Sequence, residues 1–378
     1  MKTDILVIGA GIAGASTAAH LAAEADVVLV EAESQPGYHT TGRSAAFYAE
    51  SYGGPAFRPL TAASGDFFRN PPDEVADRPL VSPRGCIHVF AEADRAKAER
   101  QAAEMAGSIA GIRLMTRDEA LARVPVLRPK AVAGAIDDPD CLDIDVAALH
   151  QGLIRWMKRR GGRLVCDAPL RRLTRMSHGW RAETPQGDIA ARIVVNAAGA
   201  WADEVAAMAG LAPIGIAPKR RTVITFDPRD TPVDPAWPLV FSINEDFYFK
   251  PESGGILASP ADESDSAPCD CRPEDYDIAL TVDRIERATT LTVPRIASSW
   301  AGLRSFAPDR APVFGPDPRA QGFVWCAGQG GFGIQSAPAA GEAVAALALG
   351  RRMPDSLATA GARSSDYSPA RFLRESVG

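Results

Sequence analysis

The 378-residue sequence lacks several features that mark common functional classes. It has no run of about 18 apolar residues, the length that a membrane-spanning helix requires. It has no excess of basic residues either: 41 lysines and arginines against 47 acidic residues give a net charge of −6, which argues against a nucleic-acid-binding surface. We therefore expect a soluble, cytoplasmic protein with no nucleic-acid partner and no transmembrane segment.

The sequence is also poor in residues that bind metals or form catalytic pairs. Its six cysteines are scattered, and Cys269 and Cys271 have no second pair nearby, so free thiols are favoured over a zinc site or disulfides. The five histidines stand next to no plausible nucleophile and in no metal-ligand spacing. We therefore expect no metal, and redox chemistry would have to come from an organic cofactor.

What the sequence does contain is a βαβ unit at its start. Residues 5–8 and 27–30 are continuous apolar runs, typical of parallel strands that are buried on both faces. The alanine-rich residues 13–25 between them are predicted to form a helix.

Three glycines stand between the first strand and this helix. Gly9 permits a tight turn, Gly11 lets the backbone approach a pyrophosphate, and Gly14 lets the helix pack closely on the strand. Glu31 closes the second strand, where its carboxylate can accept a hydrogen bond from a ribose hydroxyl. The pattern predicts a dinucleotide site.

Further segments of the same core suggest which dinucleotide is bound. The segment "VVNAAGAW" (194–201) returns to the core, and a second glycine cluster, "AGQGGFGIQ" (327–335), precedes the last long helix. Widely separated glycine sites suit a long cofactor whose reactive ring lies far from its adenine. This arrangement favours FAD over NAD.

The predicted fold class is α/β, with an FAD-binding Rossmann-like domain that carries the GxGxxG motif and a second, substrate-binding domain. Alternating polar and apolar residues over 213–259 predict that the second domain contains a mixed or antiparallel sheet besides helices. The expected divisions are 1–45, 143–211 and 299–378 for the FAD-binding domain, and 46–142 and 212–298 for the substrate-binding domain.

Three local predictions concern helices. Residues 43–70 are expected to be helical, and "TRDEALARVP" (116–125) carries a Thr-x-x-Glu capping pattern. A third helix is predicted near 146–157, with either Asp143 or Asp145 as its N-cap.

Eight segments together resemble the D-amino-acid oxidase family of flavoproteins, and within it most closely the D-arginine dehydrogenase type. They are "VIGAGIAGAS", "QPGYHTTGRSAA", "DIDVAALHQG", "VVNAAGAWAD", "PKRR", "FYFKP", "WAGLRSF" and "GQGGFGIQ", in family order over nearly the whole chain. Because no cysteine precedes the "PD" turn (308–309), the resemblance implies FAD bound non-covalently. The residues expected around FAD are Gly9, Gly11, Ala13, Gly14, Glu31, Ala32, Thr40, Thr41, Gly42, Arg43, Ser44, Ala45, Ala46, Val165, Ala198, Gly199, Trp201, Gly302, Gly330, Gly331, Phe332, Gly333, Ile334 and Gln335.

Arg304 lies in a mostly apolar strand, and a buried guanidinium needs an anionic partner. From the residues alone, that partner is either a carboxylate of the protein, for instance Asp309, or one carried by a substrate. The resemblance implies a substrate α-carboxylate, with Arg221 as its second guanidinium. Tyr248 and Tyr52 would add hydroxyl groups, although a core position for either tyrosine stays open.

The resemblance implies oxidative deamination of D-amino acids to 2-oxo acids and ammonia, by hydride transfer from the substrate Cα to flavin N5. The expected pocket residues are Phe47, Cys86, Gly331 and Gln335. Cys86 stands where relatives that prefer arginine would carry an acid, and Phe47 where a histidine is expected. Both changes favour neutral or apolar substrate side chains.

Several finer points follow from the resemblance or stay open. It favours a dehydrogenase over an oxidase. The electron acceptor stays open: a quinone or another respiratory-chain component is a candidate, and membrane association through such an acceptor is an alternative to a purely cytoplasmic protein. Oxidation of glycine, sarcosine-type secondary amines or a 2-hydroxy acid is the alternative. A non-catalytic, flavin-bearing assembly subunit is a more remote one.

Overall fold

The computed structural model describes residues 1–373 of the chain, whose helices and strands form three sheets and the layers that cover them. The helices are α1 (Ile12–Leu21), α2 (Gly54–Arg69), α3 (Arg95–Ala106), α4 (Arg117–Arg123), α5 (Val146–Arg159), α6 (Ala202–Met208), α7 (Asp275–Ala288), α8 (Gly333–Ala348), α9 (Asp355–Thr359) and α10 (Ser364–Tyr367). The strands are β1 (Lys2–Ile8), β2 (Val27–Val30), β3 (Phe47–Tyr48), β4 (Val81–Pro83), β5 (Cys86–Phe90), β6 (Arg113–Thr116), β7 (Gly134–Asp138), β8 (Leu142–Ile144), β9 (Arg163–Val165), β10 (Arg172–Met176), β11 (Gly179–Glu183), β12 (Ile189–Asn196), β13 (Ala217–Phe226), β14 (Leu239–Ser242), β15 (Tyr248–Glu252), β16 (Gly255–Ser259), β17 (Ser264–Asp265), β18 (Ile296–Phe306), β19 (Val313–Pro316), β20 (Phe323–Ala327) and β21 (Gln329–Gly330).

The first sheet contains the N-terminal βαβ unit. Its strand order is β10-β11-β12-β1-β2-β9, with β20 also paired to β12 and β19 to β20. β1 is parallel to β2 and β12, while β9 extends the parallel run beyond β2. This topology is the expected α/β arrangement, in which parallel strands are covered on both faces.

Successive residues of β1 enter two different cores. Ile5 and Val7 pack with apolar residues of α1, α5 and α8 on one face of the sheet. Leu6 and Ile8 face the other side, where they pack with residues of β10–β12 and α6. Because side chains alternate along a strand, burial of both faces requires the unbroken apolar run seen in the sequence.

The second sheet is mixed, as predicted, and has the strand order β21-β18-β13-β16-β15-β14-β5-β7-β6, with β17 also paired to β13. Its longest pairing is the antiparallel one between β13 and β18. A small third sheet joins β3, β8 and β4. None of the helices in residues 1–373 has the length and hydrophobicity needed to cross a membrane.

Two elements depart from the proposed domain boundaries. β18 lies in the second sheet, so the boundary at residue 299 falls inside a strand. Helix α2, assigned to the substrate-binding domain, contributes Phe57, Leu60 and Phe68 to the core beneath the first sheet. Both depend on long-range packing, which position in the sequence does not reveal.

The three helix predictions have different outcomes. Thr116 and Glu119 form the predicted capping box at α4. Asp145 caps α5 by accepting a hydrogen bond from the Ala148 backbone at 2.9 Å. The prediction of helix over 43–70 is wrong before residue 54, because Gly53 (φ +112°) adopts a left-handed conformation that a continuing helix does not allow.

Candidate active site

A cavity of about 480 Å³ extends from the β1–α1 turn to the face of the second sheet that carries β13, β15 and β18. Twenty-five of the residues predicted for the cofactor and the substrate line it, namely Gly9, Gly11, Ala13, Glu31, Ala32, Thr40, Thr41, Arg43, Ser44, Ala45, Ala46, Phe47, Tyr52, Ala198, Gly199, Trp201, Arg221, Tyr248, Gly302, Arg304, Gly330, Gly331, Gly333, Ile334 and Gln335. The fold therefore brings together residues that lie more than 300 positions apart in the sequence.

The glycine turn at one end is shaped for close approach. A Cβ atom at Gly9, whose φ is +97°, would lie 2.6 Å from the Ala197 carbonyl oxygen. A Cβ atom at Gly14 would lie 1.9 Å from the Gly9 carbonyl oxygen. Gly14 does not line the cavity; it has the predicted role of letting α1 pack against β1.

Glu31 is held in place by two backbone N–H groups. One carboxylate oxygen accepts a hydrogen bond from Ala10 at 2.9 Å, and the other accepts one from Glu33 at 3.1 Å. Each oxygen keeps a further lone pair, so the carboxylate can still accept hydrogen bonds from a ribose. Val165 does not line the cavity. Its carbonyl oxygen accepts a hydrogen bond from the Glu31 N–H at 2.9 Å and so fixes the backbone of Glu31.

The Thr40–Ala46 loop joins the two sheets along the cavity. The Thr40 hydroxyl donates to the Leu303 carbonyl of β18 at 2.7 Å, and Arg43 donates to the Cys271 carbonyl at 2.7 Å. The Trp300 indole donates back to the Arg43 carbonyl at 2.9 Å. Gly42 lies behind the cavity wall, where a Cβ atom would meet the Gly37 carbonyl oxygen at 2.7 Å.

The second glycine cluster leads into helix α8. β21 pairs with the end of β18, and Gly330 (φ +54°) turns the chain toward the helix. Gly333, Ile334 and Gln335 form the first turn of α8 at the cavity wall. The N-termini of α1 and α8 therefore both face the cavity, and the partial positive charge of a helix N-terminus favours negatively charged cofactor groups there.

Arg304 lies on β18 at the other end of the cavity and is 8% exposed. One terminal nitrogen, Nη2, donates to the Tyr52 hydroxyl at 3.0 Å. The other, Nη1, donates to Glu263 at 2.9 Å, so the protein's own carboxylate partner is Glu263. Asp309, the partner named from the sequence, is instead bound by Arg371 at 2.7 Å.

Arg221 lines the same end, from the neighbouring strand β13. Its Nε donates to the Asp262 carbonyl at 2.7 Å. Arg220 points to the opposite side of the strand and pairs with Asp277 at 2.9 Å, as the alternation of side chains along a strand predicts. Two guanidinium groups from adjacent strands thus meet at one end of the cavity.

An aromatic wall, defined as Phe47, Tyr52, Phe241 and Tyr248, stands beside the two arginines. The Phe241 and Tyr248 rings stack at 5.3 Å, and the centroids of Phe47 and Tyr52 are 5.0 Å apart. Phe241 was not predicted from the sequence as a site residue. The alternation in "LVFSI" (239–243) predicts only that one face of this strand is buried.

Besides Gly14, Gly42 and Val165, two further predicted residues do not line the cavity. Cys86 is 2% exposed and packs behind the aromatic wall with Cys141, and burial raises the pKa of its thiol. The expectation that Cys86 lines the substrate pocket is therefore wrong. Phe332 instead packs on Tyr52 and Phe57, with ring centroids 4.8 and 4.5 Å away.

Other lining residues were not anticipated from the sequence. At the nucleotide end these include Glu33, Tyr38, His39 and Glu204, and at the substrate end Val223. Tyr38 and His39 belong to the segment "QPGYHTTGRSAA" that supports the resemblance, but neither was assigned a role from the sequence. Whether such residues line the cavity depends on which loops the fold places around it.

Gly331 makes a close contact that predicts a specific effect of substitution. A Cβ atom there would lie 1.8 Å from Nη2 and 2.1 Å from Nε of Arg304. The obstructing atoms are the end of a side chain, so Gly331→Ala should leave the protein folded but displace the guanidinium. We expect kcat/KM to fall on the order of 10²-fold, as for an anchor misplaced by about 1 Å, while the cofactor stays bound.

Steady-state kinetics and the cofactor content of the purified variant would check this expectation. Gly107→Ala is a matched control, because that glycine has φ −65° and an added Cβ would meet nothing closer than 3.4 Å. Unchanged kinetics in Gly331→Ala would show that Arg304 does not need its observed position.

Comparisons with known proteins identify the family of the chain. The family described as "FAD dependent oxidoreductase" matches residues 4–347. Mouse FAD-dependent oxidoreductase domain-containing protein 1 is 25% identical, over 92% of this chain and 81% of that protein. Human mitochondrial dimethylglycine dehydrogenase is also 25% identical, over 90% of this chain but 42% of that protein. The solved structure of glycine oxidase from Geobacillus kaustophilus superposes with a TM-score of 0.82 at 23% identity, covering 93% of this chain and 95% of that one.

The glycine turn, the doubly held Glu31 and the two helix N-termini fit the nucleotide half of such a cofactor, and the cavity continues from them to the paired arginines. The chain therefore belongs to the FAD-dependent oxidoreductase family, and its cofactor is FAD.

Proposed function

We propose that this protein oxidises free D-amino acids with uncharged side chains to 2-oxo acids and ammonia. The observation that carries the proposal is the pair of guanidinium groups, Arg304 and Arg221, at one end of the cofactor cavity. A guanidinium presents a planar fork of donors that matches a carboxylate bidentately. A small substrate with a free carboxylate suits this end better than any neutral amine.

The lining of the substrate end supports an uncharged side chain. The aromatic wall offers apolar surface, and within residues 1–373 the acidic side chains that line the cavity are Glu31, Glu33 and Glu204, which lie toward the nucleotide end. A basic side chain would therefore lose its hydration without gaining a counter-charge, which costs several kcal/mol. This argument replaces the one based on Cys86 and disfavours D-arginine.

The protein's own contribution is to bind and orient. FAD, held by the glycine turn and Glu31, would supply the acceptor for a hydride from the substrate Cα. Arg304 and Arg221 hold the carboxylate, Tyr52 steadies Arg304, and the Gly331 carbonyl can accept a hydrogen bond from the amine. Fixing the substrate in this way supplies proximity, the main rate contribution available from these residues.

Within residues 1–373, the substrate end of the cavity presents no histidine or carboxylate that could accept the amine proton. His88 lies behind Phe241, with ring centroids 5.9 Å apart, and it does not line the cavity. Burial lowers the pKa of His88 to about 4, so it is neutral at pH 7 but a weak base. We therefore assign the proton to water.

A second candidate function is oxidation of a secondary amine such as an N-methylated glycine. The aromatic wall favours it, because aromatic faces attract methylated ammonium groups. One relative, dimethylglycine dehydrogenase, is named for an N-methylated glycine, and another, glycine oxidase, is named for glycine itself. The carboxylate anchor would be the same for both candidates.

The test is anaerobic mixing of the purified flavoprotein with D- and L-amino acids, glycine, sarcosine and a 2-hydroxy acid, following the visible flavin absorption. Bleaching by neutral D-amino acids with release of ammonia is the expected result. Fastest bleaching by sarcosine, with formaldehyde as product, would favour the second candidate. No bleaching by any compound would contradict both candidates and revive an assembly role.

Repeating the reaction in air distinguishes a dehydrogenase from an oxidase. We expect little peroxide and fast reduction of an added quinone, because the resemblance to D-arginine dehydrogenase favours an acceptor other than oxygen. Stoichiometric peroxide formation would contradict this part of the proposal.

A further inference from the structure

The carboxylate of Glu263 lies among three arginines, two of which line the active-site cavity. It accepts a hydrogen bond from Arg304 at 2.9 Å and from Arg310 at 3.0 Å, and it lies 3.6 Å from Arg221. Glu263 itself does not line the cavity; it borders a shallow depression on the outer side and is 31% exposed. The guanidinium group of Arg304, which we propose binds the substrate carboxylate, thus already has a carboxylate partner within the protein.

The segment that carries Glu263 is fixed on both sides. Ala261 adopts a left-handed conformation (φ +53°), and the Asp262 carboxylate accepts the Thr222 N–H at 2.7 Å. After Glu263, strand β17 pairs with β13. The backbone on both sides of Glu263 is therefore held beside β13, which places its carboxylate within reach of Arg304.

The donors of Arg304 are consequently shared. Nη1 is directed to Glu263 and Nη2 to Tyr52, so an incoming carboxylate meets a guanidinium whose charge is already partly neutralised. The two carboxylates would repel each other across Arg304. Because Arg304 is buried, this repulsion is screened less by salt than that between surface charges.

We propose that Glu263 is a resident counter-ion that keeps Arg304 oriented in the free protein and lowers its affinity for the substrate carboxylate. This inference rests on the proposed function, in that it takes the substrate to be a carboxylate bound at Arg304. Glu263 would set KM, with a smaller effect on kcat, because its influence falls on the part of the substrate that does not react.

The experiment compares carboxylate binding to the wild-type holoenzyme and to Glu263→Gln. The glutamine keeps an oxygen that can accept from Arg304 but removes the charge. The probe is benzoate, a carboxylate without an amine whose ring suits the aromatic wall, titrated while the visible flavin spectrum is recorded. We expect its Kd to fall about tenfold in Glu263→Gln, as relief of a like-charge contact predicts, and KM to fall in parallel with kcat changed less than about twofold.

Asp265→Asn is the matched control. It removes the same charge two residues away, from a side chain that is 86% exposed and pairs with Lys219. Its benzoate Kd should stay within about twofold of wild type, since exposed pairs are worth little. An equal tightening in Asp265→Asn would show that net charge alone is responsible and would overturn the inference.

Weaker or unchanged benzoate binding in Glu263→Gln would also overturn it, because a purely structural glutamate predicts that result. Glu263→Asp keeps the charge but withdraws it from Arg304, so its Kd should fall between wild type and Glu263→Gln; a Kd above that of wild type would count against the inference.

Titration with benzoate needs no turnover. If no amino acid reduces the flavin, only the proposed function fails, whereas absence of benzoate binding to the wild type would remove the anchor and this inference together.

Discussion

Replacing Arg304 by leucine is expected to lower kcat/KM for amino-acid substrates by about 10²- to 10³-fold, as for truncation of one partner of a buried charge pair. Leucine fills part of the same volume but offers no donor to a carboxylate. It also leaves the Tyr52 hydroxyl without its observed partner. FAD content should stay at the wild-type level, because the nucleotide end of the cavity is untouched.

Arg310→Gln is the appropriate comparison for this variant. Arg310 shares Glu263 with Arg304, but it is 54% exposed and does not line the cavity. We expect its kcat/KM to change less than about threefold, in keeping with the small value of exposed ion pairs. Equal losses in the two variants, measured by steady-state kinetics, would contradict the role of Arg304 as the carboxylate anchor.

Replacing Glu31 by alanine is expected to weaken FAD binding by about 10²-fold, because hydrogen bonds to a charged acceptor are worth about 1.5–3 kcal/mol each. The substitution removes the acceptor for the ribose. It also leaves the backbone N–H groups of Ala10 and Glu33 without their partner. Fluorescence of FAD released on dilution of the holoenzyme would give the Kd directly.

Glu24→Ala provides the control for this variant in the same part of the chain. Glu24 is exposed and pairs with Arg351 on the surface, away from the cavity. Its FAD affinity should match that of the wild type. Retention of wild-type affinity by Glu31→Ala would mean that Glu31 does not bind the ribose.

The sequence by itself determined the cofactor half of the molecule. The glycine turn, the helix that follows it and Glu31 lie within 31 consecutive residues, and their mutual geometry follows from local rules of strand, turn and helix. The alternation of residues 213–259 likewise predicted strands of the second sheet. Arg304 could be singled out because a charged residue in an apolar strand needs a partner. Arg221 was predicted only from the family resemblance.

Only the tertiary structure decided what surrounds those arginines. Glu263 lies 41 residues from Arg304 in the chain, and no local pattern distinguishes it from the acidic residues beside it. Asp309 is closer in sequence, yet the turn after β18 directs it toward Arg371. Cys86 was misplaced for the same reason, because whether its side chain faces the cavity depends on how β5 packs against its neighbours.

The contact between Gly331 and Arg304 shows the same limit. From the sequence, a glycine in a glycine-rich loop indicates flexibility or a turn. In the structure, position 331 is a glycine for another reason: the Arg304 guanidinium, from another strand, lies where a Cβ atom of residue 331 would be. Local residue preferences therefore determined the elements and the cofactor motif. The substrate end was decided by strand register and by contacts between distant segments, because packing in three dimensions fixes which charges and rings meet.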